Sequence, residues 1–421
     1  MFQFPSKHRL GVPAALALAL ATCLSLVAFA ATSPPRISRS SLPREIRPQS
    51  ARSPLTFMTL DMVSSSVGWG IGNSAVIQTV DGGKRWTRVL ALPMATRSYW
   101  YSFDLTATDA NHVWVAETRA KTQPQMMVAN APSSTTVRPA LIVLSTDNGG
   151  QSWKRVSLRL AGRMETSSVG SIQFVNASVG WVMLFSYMNG GPDGTPDHAL
   201  YRTLDGGLTW QRVEFNAGYR ESRKAISFCI FEPHAQFTNA SRGWATGVLN
   251  GCVGRHVLYR TYDGGRTWKA VGLPVPRSWL PSVCQCQPYF ATAGSAFNGS
   301  AGIVLGVLDR PLRVVLYRTG DDGKHWRGTE ALAARPTHVV PSPTVASLGA
   351  GKIWMLLNRR LYVTTNQGTS WRVIARVPSM VADHMQFLSP KVGFAYEANV
   401  YHYLYTTTDG GRTWRRLSLR L

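Results

Sequence analysis

The chain has 421 residues, of which 44% are apolar and 10% aromatic. That composition can bury a sizeable core, which excludes wholesale disorder and a low-complexity filament, and the length exceeds one ordinary domain while fitting a single large β architecture. Forty-five Lys and Arg against 22 Asp and Glu give a net charge of +23, and nine Lys beside thirty-six Arg make the excess almost entirely guanidinium, an always-charged planar fork suited to carboxylate, phosphate and aromatic partners.

From the N-terminus, Lys7 and Arg9 precede an apolar run from Leu10 to Ala31 that contains the small-x-small pattern Ala28-Phe29-Ala30. Residues 1–31 therefore read as a signal peptide or an uncleaved membrane anchor, because the run exceeds the ~7–15 residues of a signal core and reaches the ~20 that span a bilayer. Either way the chain is expected to be exported, to the periplasm, the exterior or the outer side of the cytoplasmic membrane. Nucleic acid is accordingly an unexpected partner despite the charge. Residues 32–54 hold five Pro, six Ser and five Arg with almost nothing apolar, the composition of a disordered tether. The remainder, 55–421, keeps 38 basic against 21 acidic residues, a net charge of +17.

Within 55–421 one octapeptide recurs seven times: Thr, any residue, Asp or Asn, any residue, Gly, two residues, Trp. Its first copy is Thr79-Val80-Asp81-Gly82-Gly83-Lys84-Arg85-Trp86, and the others start at Thr146, Thr203, Thr261, Thr319, Thr364 and Thr407. The third positions are Asp81, Asn148, Asp205, Asp263, Asp321, Asn366 and Asp409. A short apolar run opening on an aromatic precedes most copies, as in Gly68-Trp69, Val113-Trp114, Gly180-Trp181, Gly243-Trp244, Ile353-Trp354 and Gly393-Phe394. Of the fourteen tryptophans, only Trp100 and Trp279 fall outside these two elements. Alternating, β-branched and aromatic runs around each copy predict four strands per unit, with the octapeptide as a hairpin turn. Copies lie 67, 57, 58, 58, 45 and 43 residues apart, and the shortest spacings match the ~40–45 residues of a four-stranded propeller blade. The predicted fold is all-β: a seven-bladed propeller of four-stranded antiparallel blades over 55–421.

These residues resemble the Asp-box or bacterial-neuraminidase-repeat superfamily of β-propellers. In the pairing of Gly243-Trp244 with Thr261 to Trp268 they are most similar to photosystem II assembly and stability factors. The resemblance implies a propeller and a protein-binding, non-enzymatic role, with the octapeptide acids structural. It also admits sialidase chemistry, whose aromatic-Arg-Ile-Pro mark has only Pro35-Arg36-Ile37-Ser38 as a candidate, inside the tether and without either flanking residue. Loop acids Glu117, Asp193, Asp197, Glu221 and Asp309 could make an ordinary glycosidase only if two of them converged. No catalytic residue is assigned on this basis, and no metal or cofactor is expected, since the nine His show no ligand spacing.

Cys229, Cys252, Cys284 and Cys286 form an even set in an exported chain and are disulfide candidates, with Cys229 and Cys252 bridging to the Cys284-Gln-Cys286 pair the preferred arrangement. Strand alternation places the long insertions of blades two to five on the face opposite the octapeptide turns. That face gathers the candidate binding residues Trp100, Arg119, Arg138, Arg220, Arg223, Arg255, Arg277 and Trp279. The reading that follows is a monomeric, exported propeller that binds another protein or a membrane-protein segment, membrane-proximal if the N-terminal run is retained. A glycan-active hydrolase and an envelope adhesin for anionic polymer are the alternatives.

Overall fold

The computed structural model describes residues 57–93, 99–121, 139–160, 164–165, 167–186, 197–216, 225–226, 230–249, 258–274, 290–298, 300–308, 313–333, 344–348, 351–377, 380, 382–397 and 403–418. Segments 1–31 and 32–54 and all four candidate disulfide cysteines lie outside them, as do Arg138, Arg220, Arg223, Arg255, Arg277 and Trp279.

Twenty-eight strands fall into seven sequential groups of four, each an antiparallel up-and-down sheet. The blades span residues 57–91, 99–159, 168–216, 230–271, 290–333, 344–376 and 384–417. The fold is a seven-bladed β-propeller, and no α-helix occurs among the described residues. One backbone bridge, Val248 opposite Ala291, joins the fourth and fifth blades into a continuous sheet.

Strand character follows position in the blade. The second and third strands are covered on both faces by the neighbouring blades, so Ala140–Thr146 and Gly180–Ser186 are buried along their whole length and read as unbroken apolar runs. The outermost strands face water; Lys154–Arg159 has an exposed-rich pattern, and Arg212, Lys269, Arg327, Arg372 and Arg415 all stand exposed at the start of such strands. These blade-periodic charges solvate the rim.

The octapeptide is a closed hydrogen-bonding unit in all seven copies. The threonine hydroxyl donates to Oδ1 of the Asp or Asn at 2.8–3.0 Å. The same Oδ1 accepts the backbone N–H four residues on at 2.9–3.0 Å. The glycine N–H returns to the threonine oxygen at 2.8–3.0 Å. Only an acceptor is needed at that oxygen, so Asn serves in two copies, where its free amide donates to Ser152 or Ser370. Where Asp stands, its second oxygen accepts instead from Arg85, Thr209, Thr267, His325 or Thr413. The invariant glycine is required twice over: Gly323 has φ +72°, and a Cβ there would lie 2.2 Å from the Trp244 ring of the preceding blade.

Blades meet through a second recurring contact. The tryptophan opening one blade's second strand stacks on the phenylalanine ending the next blade's inner strand: Trp114 on Phe174, Trp181 on Phe237, Trp244 on Phe297 and Trp354 on Phe387, at 3.6–4.5 Å between centroids. Trp114, Trp181 and Trp354 also donate Nε1–H to a glycine carbonyl in the next blade's octapeptide, Gly206, Gly264 and Gly410, at 2.8–2.9 Å. Twelve of the fourteen tryptophans thus act in turns or between blades.

Candidate binding face and central channel

Strand order sorts every connection to one of two faces. On one lie the seven octapeptide turns and the turns between first and second strands, such as 63–67, 175–179 and 388–392, all short. On the other lie the connections between second and third strands and between blades. These range from 73–74 and 358–359 to 122–139, 217–229 and 272–289. The variable, elongated segments therefore share one face, the one opposite the octapeptides.

Two of the candidate binding residues belong to described segments. Trp100 lies within the inner strand of blade 2, Tyr99–Ala107: that strand pairs with Val113–Lys121 over nine residues, placing Trp100 opposite Ala120 and Tyr101 opposite Arg119. Arg119 sits near the end of the second strand on the variable face, half-buried. The same long pairing corrects the reading of Glu117 as a loop acid. It is a strand residue 4% exposed, opposite Phe103 and Ile142. Burial pushes its carboxyl up while the Arg155 and Arg119 charges pull it down. Asp197 is likewise the first residue of a third strand, 1% exposed, opposite Ser186. Neither acid is presented to a substrate from a loop, and Asp193, Glu221 and Asp309 lie outside the described residues.

Under the variable face, blade 3 buries a histidine beside a glutamate. His198 and Glu214 are 0% and 5% exposed, with His198 Nε2 at 3.3 Å from Glu214 Oε1. Leu200, opposite Glu214, packs in the apolar cluster between blades 3 and 4, which places the pair at that junction.

The sequence reading missed the polar lining of the inner strands. Gln386 accepts from Met62 N–H at 3.0 Å and donates to the Met62 carbonyl at 3.0 Å and to Asp61 Oδ1 at 3.2 Å. Asp61 Oδ2 accepts the Ala107 N–H at 3.0 Å, and Asp104 Oδ2 accepts the Ile172 N–H at 2.9 Å. Gln173 accepts from Phe237 N–H at 2.6 Å and donates to its carbonyl at 2.9 Å. Each of these side chains reaches from one blade to the backbone of the next. Asp61, Gln173, Gln236 and Gln386 share one repeat position, immediately before the residue that ends the inner strand. That shared position is the signal by which they could have been found.

Two residues further from the strand end, Asp104, His234 and His384 occupy another common level. Burial raises the Asp104 carboxyl to about 6, helped by the Asp61 charge and opposed by the N–H groups of Ile172 and Leu105 and the Thr59 hydroxyl. Burial also raises Asp61, against hydrogen bonds from Ala107 and Gln386. Desolvation among the inner strands lowers His234, which also feels the His384 charge, and lowers His384 against the attraction of Asp383, although both rings keep exposed surface. His384 stacks on Tyr396 at 4.7 Å, and the Tyr396 hydroxyl accepts the Leu60 N–H at 3.2 Å. Two neighbouring carboxyls with raised pKa values are a feature of acid-base sites. Here both acids are already engaged by the backbone of the next blade, and at the position of Asp61 blades 3, 4 and 7 carry glutamine.

Part of the basic charge is structural and faces the other way. Arg202 lies 5.5 Å from the Trp181 ring centre and donates to the Ala240 carbonyl of the next blade at 2.7 Å. Arg260 over Trp244 donates to the Asp322 carbonyl, Arg318 to Thr369, and Lys352 over Trp354 to the Pro390 carbonyl. Four successive blades thus clasp their successors on the octapeptide face.

No protein-family model and no curated protein matches the sequence. Among solved structures the chain is similar to YCF48 from Cyanidioschyzon merolae, with 13% identity, TM-score 0.49 and coverage of 85% of this chain and 97% of that one. It is also similar to a YCF48 bound to D1 peptide, with 16% identity, TM-score 0.48 and coverage of 84% and 90%. A GH74 xyloglucanase from Xanthomonas campestris has 14% identity and TM-score 0.53 over 88% of this chain and 55% of that one. At such identities the likeness shows the propeller fold, which hosts both binding proteins and hydrolases.

Proposed function

We propose that this chain is an exported, non-enzymatic propeller that binds another protein, an assembly or chaperone-like factor acting through the face opposite its octapeptide turns. The observation that carries the reading is the asymmetry of the connections. Short turns occupy one face, and every long, variable segment, with Arg138, Arg220, Arg223, Arg255, Arg277 and Trp279 in the sequence of those segments, belongs to the other. Guanidinium groups beside aromatics suit an acidic or aromatic-bearing protein surface. The closed Thr–Asp–Gly hydrogen-bonding unit supports reading the octapeptides as Asp boxes of the bacterial-neuraminidase-repeat kind. The apolar run at Leu10–Ala31 supports export, either with cleavage or with retention as an anchor beside the membrane.

The test is affinity capture from the native envelope fraction with the full chain and with Arg220→Glu/Arg223→Glu. The variant is expected to lose the captured protein while its thermal unfolding stays unchanged; retained capture would sink the proposed site. A hydrolase reading is favoured only by the raised pKa values of Asp61 and Asp104. It predicts release of product from fluorogenic β-glucans or sialosides, lost in Asp104→Asn, and the binding reading expects no release. An adhesin for anionic polymer would instead detach progressively as salt screens its charge.

A further inference from the structure

We infer that the propeller ring opens at the junction of blade 7 with blade 1, and that Gln386 is the latch holding it shut. Each blade consists of four consecutive strands, so no strand is exchanged between the first and last blades, and this is the one junction that no chain connection crosses. It also lacks the devices that secure the junctions of blades 3 with 4 and 6 with 7. The junctions of blades 1 with 2 and 5 with 6 lack the stack as well, since Ala107 and Ile303 stand at its two positions, but there the chain itself crosses from one blade to the next. Phe394 stands where Trp114, Trp181 and Trp354 stand, and a phenyl ring has no N–H to offer the Gly82 carbonyl. Met62 replaces the phenylalanine on which those tryptophans stack. The residue matching Arg202 is Thr406, whose hydroxyl turns back to the Gly393 carbonyl of its own blade at 3.4 Å. Across the junction, among the described residues, run an apolar cluster of Leu60, Met62, Ile77 and Trp86 with Phe394 and Leu404, bonds of the Tyr396 hydroxyl with the Leu60 N–H and the Thr59 hydroxyl, and the Gln386 fork on Met62 and Asp61.

Gln173 provides a matched control. It occupies the same repeat position and grips Phe237 by the same two bonds. Its junction, however, also has the Trp181 stack, the bond to Gly264 and the Arg202 clasp. Parting blades 7 and 1 would separate the inner strands Phe57–Met62 and His384–Phe387, opening the ring sideways.

Native-state hydrogen exchange of the full chain, read by mass spectrometry, tests this. In the unaltered protein, peptides covering Phe57–Met62 and His384–Phe387 are expected to exchange before those covering Ser168–Phe174 and Ile230–Phe237. Gln386→Ala is expected to accelerate exchange about tenfold at the first pair and leave the second unchanged, while Gln173→Ala produces a smaller local effect. Equal effects of the two variants, or a uniform acceleration over all blades, would overturn the inference. If Gln386→Ala does not fold, the order of exchange in the unaltered protein decides, and exchange of blades 1 and 7 no earlier than blades 3 and 4 overturns it.

Discussion

The junctions of blades 3 with 4 and of 7 with 1 solve one packing problem with different chemistry. At the first, Trp181 lies flat on Phe237 at 3.7 Å and 2°, donates to Gly264, and is covered by Arg202. At the second, Phe394 packs with Met62 in an apolar cluster and the directional bonds come from Gln386 and Tyr396 at the inner edge. Stacked aromatics add about 0.5–1.5 kcal/mol beyond their buried area, and a neutral hydrogen bond adds about 1 kcal/mol. The first junction is therefore secured across its width, while the second depends on apolar area and on one inner edge. A repeated fold need not be uniformly stable.

The largest effect expected at these junctions comes from Trp181→Ala, which removes stack, bond and volume together. It should cost about 3–5 kcal/mol in urea unfolding. Phe394→Ala, with no such bond to lose, should cost less. Gly323→Ala should approach the larger figure, because the new methyl meets the Trp244 ring at a backbone angle alanine disfavours. Trp181→Phe converts the first junction toward the second: the stack is retained, the Gly264 carbonyl loses its donor, and about 1 kcal/mol should be lost in the same measurement.

Smaller effects follow from titration. The folded protein holds the Asp104 proton to about 6, above the ordinary value of 3.8. The contribution of this group is therefore greatest at low pH, declines as pH rises from about 4 to about 6, and is level above that. His234 and His384, lowered by desolvation, act in the opposite sense, with stability rising as pH climbs toward the unfolded value of 6.5. Asp104→Asn should remove only the Asp104 decline, seen as a flatter urea midpoint between pH 4 and 6. At the octapeptide turns the sign is reversed. Burial tends to raise Asp409, but bonds from Thr413, Thr407 and Arg412 outweigh it and hold the carboxyl at about 2. Its contribution is present above pH 3.8 and lost as pH falls toward 2, so Asp409→Asn should blunt acid unfolding in that range.

The octapeptides could be read directly because every bond in them closes within eight residues, and a fixed spacing of Thr, Asp and Trp is enough to specify the turn. The candidate face was readable from strand alternation alone. The positions of Trp100, Glu117 and Asp197 were not, because a nine-residue pairing in blade 2 and a seven-residue pairing in blade 3 draw in residues whose neighbours in sequence are loop-like. Gln386 and Asp61 escaped notice because their partners lie in other blades. Gln386 and Met62 are 324 residues apart, and nothing local marks a glutamine as a latch.

By itself, then, the sequence determined the number of blades, the turn chemistry and the scaffold role of most tryptophans, since each depends on short-range geometry that recurs identically in every copy. Only the tertiary structure decided which acids are buried, which arginines clasp the next blade and which junctions are closed by a stack. Those outcomes depend on side chains that meet when the ring closes, and substitutions that leave each blade's own pattern intact, such as phenylalanine for tryptophan at Phe394, change what the neighbouring blade can bond to.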